Sequence, residues 1–348
     1  MTPRERVLTA FDHAEPDRVP RWCGASVEFW AKAKAALGLD DEALRVRFGD
    51  DFRRIFAVDT GNDAPFTHPE ATSRTVFGIE RHGMGWGQPL DHPLKGATLD
   101  QVHAFAWPDA GRLDVSQLTA EAEQWDGRYA ILGGDWAPFW HDAIDLLDMD
   151  GLCIQMIDVP EVVDAVMGHI VDYYMAANEQ IFSAAGEAID IYFIGNDFGS
   201  QRGPLVSPAM FERFCLGHLR RLLDLARAYG LKTQLHCCGG IRPLIPMMID
   251  AGLDALHAVQ PSCGGMDLAA LKADFGETIV FNGGIDSHHV LIDAAPETVR
   301  QSTREVLEIM MPGGGYVAGA SHDTILEETP VENVLAMFDA VEEFGVYG

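Results

Sequence analysis

The chain has 348 residues, 47% of them hydrophobic, and a formal net charge of −28. A chain of this length can bury a large core. Its acid excess argues against nucleic acid or an anionic membrane surface as a partner, because both need clustered lysine and arginine.

The six cysteines are too sparse for a disulfide framework, and adjacent Cys237 and Cys238 are expected to be reduced. No apolar signal core follows the charged start, and no run approaches the roughly 18 apolar residues of a membrane span. A cytoplasmic protein is expected.

In chain order, residues 1–8 read as the start of an amphipathic helix, followed by the turn Glu15-Pro16-Asp17-Arg18 and the apolar Val19-Pro20-Arg21-Trp22-Cys23. A helix is expected over Val27 to Leu37. From about 59 to 108 the sequence is rich in Gly, Pro, His and Trp, as in Gly83-Met84-Gly85-Trp86-Gly87-Gln88-Pro89. That stretch predicts irregular structure or a small hairpin insertion.

A rhythm then sets in. Short apolar runs at 129–134, 189–195, 233–236, 255–259, 278–283 and 316–319 alternate with amphipathic helices. The helical pattern from Pro208 to Tyr229 repeats Phe211, Phe214, Cys215, Leu219, Leu222 and Ala226 on one face. Ser207-Pro208 suits its N-terminus and Gly230 its stop. Alternating strand and helix implies a parallel sheet, and the count fits a (β/α)8 barrel. The chain is expected to form one such domain over 1–348, with about 1–110 as an N-terminal extension and irregular insertion packed on it.

Strand ends in such a barrel gather on one face, which carries the active site. The polar residues expected there are Asp135, Trp136, Asn196, Asp197, His236, Cys238, Gln260, Asp286, His288, His289, Ser321 and His322. The core of this set is His236-Cys237-Cys238. Residues i and i+2 of a strand share a face, so His236 and Cys238 project together while Cys237 points away. An imidazole and a thiolate supply two of the three protein ligands of a catalytic zinc; the rival reading is a buried cysteine pair beside a hydrogen-bonded histidine. His322 is the first candidate for the third ligand, with Asp323 as the alternative or as an orienting partner. Asp197, in a Gly-flanked loop, suits acid–base work, substrate binding or helix capping. Trp136, Asn196, Gln201 and Asp286 are candidate substrate contacts. Gly313-Gly314-Gly315 precedes a strand and lacks the context of a nucleotide-binding loop.

Several segments together resemble the uroporphyrinogen decarboxylase-like superfamily: Arg4-Glu5-Arg6-Val7 through Pro16-Asp17-Arg18-Val19-Pro20, His92-Pro93-Leu94, Trp107-Pro108-Asp109, residues 196–204, His236-Cys237-Cys238-Gly239, Asn282-Gly283-Gly284-Ile285-Asp286 and Gly313-Gly314-Gly315-Tyr316. The resemblance implies a (β/α)8 barrel and two branches of function. Metal-free decarboxylases carry an arginine-rich Arg-Gln-Ala-Gly-Arg segment where this chain reads Val19-Pro20-Arg21-Trp22-Cys23-Gly24.

Cobalamin-dependent methyltransferases hold zinc through His-x-Cys and a later Cys. This chain matches the first two at His236 and Cys238 and offers Ser321, His322 and Asp323 in place of the third. The resemblance therefore implies a zinc-dependent methyltransferase. It would move a methyl group between a small substrate (thiol, methyl ether or amine) and a corrinoid (cobalamin) protein, and the family suggests a homodimer. The alternatives are a metal-free decarboxylase and a non-catalytic ligand-binding barrel.

Overall fold

Seven runs of buried residues make up one parallel sheet: β1 Phe52–Arg54, β2 Ala130–Gly133, β3 Ile191–Gly195, β4 Lys232–His236, β5 Ala255–Val259, β6 Val280–Ile285 and β7 Tyr316–Ala320. Each pairs with its neighbour in sequence. In this computed structural model, which describes residues 1–61, 64–83, 87–125 and 127–348, β2, β3, β5, β6 and β7 are buried at every position. A sheet covered by helices on one side and packed on itself within has no solvent face, which is why these strands read as continuous apolar runs instead of alternating.

The ring is completed by residues 20–22. The amide of Trp22 donates to Ala318 O (2.9 Å), the amide of Ala318 donates to Pro20 O (2.8 Å), and the amide of Asp51 donates to Arg21 O (3.1 Å). This segment thus lies between β7 and β1 as an eighth stave, and Arg21 bridges Ala318 in parallel. The stretch to about residue 110, expected as an extension resting on the barrel, instead contributes two of its staves. Side chains running through the barrel (Trp22, Phe52, Leu132, Phe193, Val280, Val317) form one buried cluster with Val7 and Phe11 of helix Pro3–Phe11. That helix closes the end at which the strands begin.

The helix Val27–Leu37 matches its expected bounds. The pattern from Pro208 is helical but interrupted: Pro208–Phe211 passes through a π-turn, Glu212–Leu216, into Gly217–Ala228. Ser207 Oγ accepts from the Met210 amide at 3.3 Å as the cap, and Gly230 ends the element at φ +76°. Between 58 and 114 lie a three-stranded antiparallel sheet (Ser73–Arg74, Glu80–His82, Gln88–Pro89) and a two-stranded one (Val58–Asp59 with Leu113–Asp114). The expected irregular stretch at Met84, Gly85 and Trp86 lies outside the described residues. Among the described residues, no helix is long and apolar enough to cross a membrane.

Candidate metal centre

The ladder of β4 ends at His236, which is level with Gly195 on β3 and His257 on β5. Beyond it the chain turns in two steps. Cys237 goes inward: its amide donates to His257 O (2.5 Å) and its Sγ accepts from the Phe198 amide (3.3 Å). Cys238 turns back to the mouth, with Sγ 3.4 Å from His236 Nε2. The alternation expected from the sequence therefore survives past the last ladder bond. Gly239, at φ +91°, lets the turn pass close to the neighbouring loop, where a Cβ would lie 2.6 Å from Gly199 C and 2.8 Å from Ser200 N. Its amide donates to Gln260 Oε1 (3.0 Å) and that of Gly240 to Ser200 O (2.8 Å).

Asp197 faces this pair from the end of β3. Its Oδ1 accepts from the Cys238 amide at 2.7 Å and lies 3.4 Å from His236 Nε2, while Oδ2 lies 3.4 Å from His141 Nε2. Burial alone would raise its pKa, but His141, His236 and the Cys238 amide outweigh it and hold the carboxyl well below the usual range. Burial, followed by the charge of Asp197, pushes the Cys238 thiol up. On the far side of His236, its Nδ1 is 3.1 Å from His257 Nδ1. Burial and the facing His236 depress the pKa of His257 strongly, so it is neutral. Its Nε2 is sealed from solvent and has no hydrogen-bond partner among the described residues.

These residues border a cavity of about 620 Å³ lined by Arg54, Trp136, His141, Asp197, His236, Cys238, His322, Asp323, Thr324 and Leu326. The Trp136 ring stacks on His236 at 5.7 Å. Among the described residues, two groups of donors converge within 4.8 Å: Asp197 with His236 and Cys238, and His236 with His257 and Asp323. His322 lines the same cavity but belongs to neither group; its Nδ1 lies 3.0 Å from Thr324 O and 3.3 Å from Thr324 N. The third donor brought up to His236 and Cys238 is Asp197, the residue expected for acid–base work.

The other expected site residues divide. Trp136 forms a wall of the cavity. Asn196 is fully buried, accepting from the Trp140 amide (2.8 Å) and donating to Ala137 O (3.0 Å), so it braces the neighbouring loop and does not line the cavity. Gln201 is exposed on a loop tip, outside the cavity lining. Asp286 caps the turn that follows β6 by accepting from the amides of His288 and His289 (2.9 and 2.8 Å). Sequence reasoning did not single out Arg54, His141 or His257. The one available signal was a histidine at the centre of the apolar run Ala255-Leu256-His257-Ala258-Val259; its register opposite His236 belongs to the fold.

Residues 102–344 match the family model described as uroporphyrinogen decarboxylase (URO-D). The chain belongs to the uroporphyrinogen decarboxylase family. Over 99% of its length it is 20% identical to the methylcobamide:CoM methyltransferase MtbA of Methanosarcina mazei, covering 98% of that protein. A uroporphyrinogen decarboxylase of Syntrophotalea carbinolica is 25% identical over 62% of this chain and 60% of its own. The solved structure of a methyltransferase from Methanosarcina mazei superposes with a TM-score of 0.72 at 20% identity, covering 99% of both chains. The family and the curled parallel sheet agree on an α/β barrel.

Proposed function

We propose that this member of the family is a zinc-dependent methyltransferase that moves a methyl group between a small substrate and a corrinoid carried by a partner protein. The observation that carries the reading is the convergence of His236 Nε2, Cys238 Sγ and an Asp197 oxygen within 4.8 Å on the wall of an open cavity. One imidazole, one thiol and one carboxylate are a donor set that suits zinc, and the cavity side leaves a position for substrate. Near-complete coverage of a methylcobamide-dependent relative supports the methyltransferase branch. The departure from the arginine-rich decarboxylase segment supports it too.

Bound there, zinc would lower the pKa of a substrate thiol or polarise a methyl ether or amine. The protein's own groups arrange the rest. For Nε2 of His236 to face the metal as a lone pair, its Nδ1 must carry the proton and donate to Nδ1 of His257. His257 then keeps its own proton on Nε2 and fixes the ring. Asp197 stays ionised and is oriented by the Cys238 amide. His141, whose Nε2 lies 3.4 Å from the other Asp197 oxygen, borders the cavity and helps keep that carboxylate ionised. Trp136 and Leu326 give the substrate an apolar wall.

Replacing Cys238 tests the reading. In Cys238→Ala, zinc content after equilibration is expected to fall to background, and methyl transfer from methylcobalamin to a small thiol is expected to disappear. Cys237→Ala, which removes an inward-packed sulfur, is expected to keep zinc. Full zinc occupancy in Cys238→Ala would contradict the assignment.

A further inference from the structure

The barrel interior is not apolar throughout. Residues i and i+2 share a strand face, so Gln234 lies on the face of His236 in β4, His257 on the face of Ala255 in β5, and Asn282 on the face of Val280 in β6. Ala255 and Val280 belong to the buried cluster that fills the barrel. Gln234, His257 and Asn282 are each wholly buried beside them. The three strands are neighbours. Gln234 is level with Ala255, and Asn282 lies one residue past Phe281, which is level with Leu256. Asn282 Nδ2 donates to Gln234 Oε1 at 3.1 Å. That bond spans the single methyl of Ala255, one interior position before His257.

Three atoms of this group have no hydrogen-bond partner among the described residues: Gln234 Nε2, Asn282 Oδ1 and His257 Nε2. The amide orientations do not change the count. Exchanging O and N in both side chains keeps their mutual bond and still leaves one N–H and one oxygen over. The rings of Trp22 and Phe193 stand edge-on to His257, each with its centroid 5.3 Å away, and none of the three polar residues lines the cavity beside His236. Buried polar groups are nearly always paired with protein or with an ordered water, which makes about three bonds. With His257 protonated at Nε2, the three atoms are two donors and one acceptor, the complement of a single water.

We infer that Gln234 and Asn282 hold one water molecule inside the barrel and, through it, act as positioning residues for His257 and so for His236. The water accepts from His257 Nε2 and from Gln234 and donates to Asn282. Nδ1 of His257 is then left to accept from His236 Nδ1, 3.1 Å away, with the Nε2 lone pair of His236 facing the cavity. The water site rests on the buried groups alone; its consequence for zinc rests on the metal reading.

Crystallography and histidine NMR on the full chain test it together. A structure at a resolution that shows ordered water is expected to place one at hydrogen-bond distance from His257 Nε2, Gln234 and Asn282. In the zinc-loaded protein, nitrogen-15 shifts of labelled histidine are expected to show His257 protonated at Nε2. Asn282→Leu removes the acceptor. It is expected to lose the water, mix the two His257 tautomers and weaken zinc about tenfold in competition with a chelator, the lower end of what outer-shell partners give. Thermal melts check that the variant is folded; if it is not, Gln234→Met carries the same comparison. No water at this position in the wild type would overturn the inference, as would a His257 tautomer and zinc affinity that stay unchanged in a variant lacking the water. Failure of the zinc reading gives a different pattern: no bound metal, with the water present in the wild type and absent from the variant.

Discussion

Two histidines on adjacent strands, level in register, share one hydrogen bond of 3.1 Å between their Nδ1 atoms. Only one of those nitrogens can carry the proton, and metal binding through His236 Nε2 decides which. Replacing His257 by leucine removes the acceptor that fixes this tautomer, so zinc affinity is expected to fall about 10–100-fold. Competition with a chromophoric chelator measures it; unchanged affinity would mean that His257 only fills space.

A second buried group sets a pH dependence. Burial pushes the Asp142 carboxyl up to about 8, against the lowering effect of the Tyr174 hydroxyl that donates to it at 2.6 Å. Asp145, Arg81 and Asp135 also act on it. The folded protein keeps this proton to about pH 8, while the unfolded chain releases it near 4, so stability falls as pH rises through that window. Asp142→Asn carries no such cost and is expected to melt progressively above the wild type as pH rises from about 5 to about 9. Parallel melting curves would contradict this.

At this scale His236 and Cys238 were legible because strand alternation holds for one residue beyond the ladder. Asn196 lies away from the cavity for a local reason: its side chain is committed to Trp140 and Ala137, and no periodicity reports that.

At the level of elements, six barrel strands could be read from the sequence, five of them as apolar runs and Lys232–His236 by its place in the alternation of strands and helices. The two that could not be, residues 20–22 and Phe52–Arg54, are three residues long and carry proline or arginine. Two of their polar groups are held by distant partners: the Arg53 guanidinium by Glu42, and the Arg21 amide by Asp51 Oδ2 at 2.8 Å. Missing Phe52–Arg54 also hid Arg54.

Strand ends hold the site through close packing as much as through side-chain chemistry. Gly195, the last residue of β3, lies against the Trp136 indole, leaving no room for a Cβ. Gly195→Ala is expected to displace that ring, destabilising the protein by about 1–3 kcal/mol and weakening ligand binding with zinc retained. Thermal denaturation and a binding titration together measure this. A variant with wild-type stability and affinity would show that the ring position does not matter.

For the whole molecule, the barrel is closed by main-chain hydrogen bonds and filled by Trp22, Phe52, Phe193 and their neighbours. Its integrity therefore does not depend on a metal. A ligand that binds only the folded state adds stability by mass action, about 2.7 kcal/mol at a hundredfold excess over Kd. Zinc is accordingly expected to raise the melting temperature by a few degrees, as measured by scanning calorimetry with and without chelator. Outright unfolding by the chelator would place the metal in a structural role and contradict an open site.

The central claim is that His236 and Cys238 hold a metal with a position left for substrate. Zinc K-edge X-ray absorption on the loaded protein tests it most directly. The expected first shell has one sulfur at about 2.3 Å with nitrogen and oxygen donors, and the sulfur count is expected to rise from one to two when a thiol substrate is added. A shell without sulfur, or a sulfur count that the thiol leaves unchanged, would contradict it.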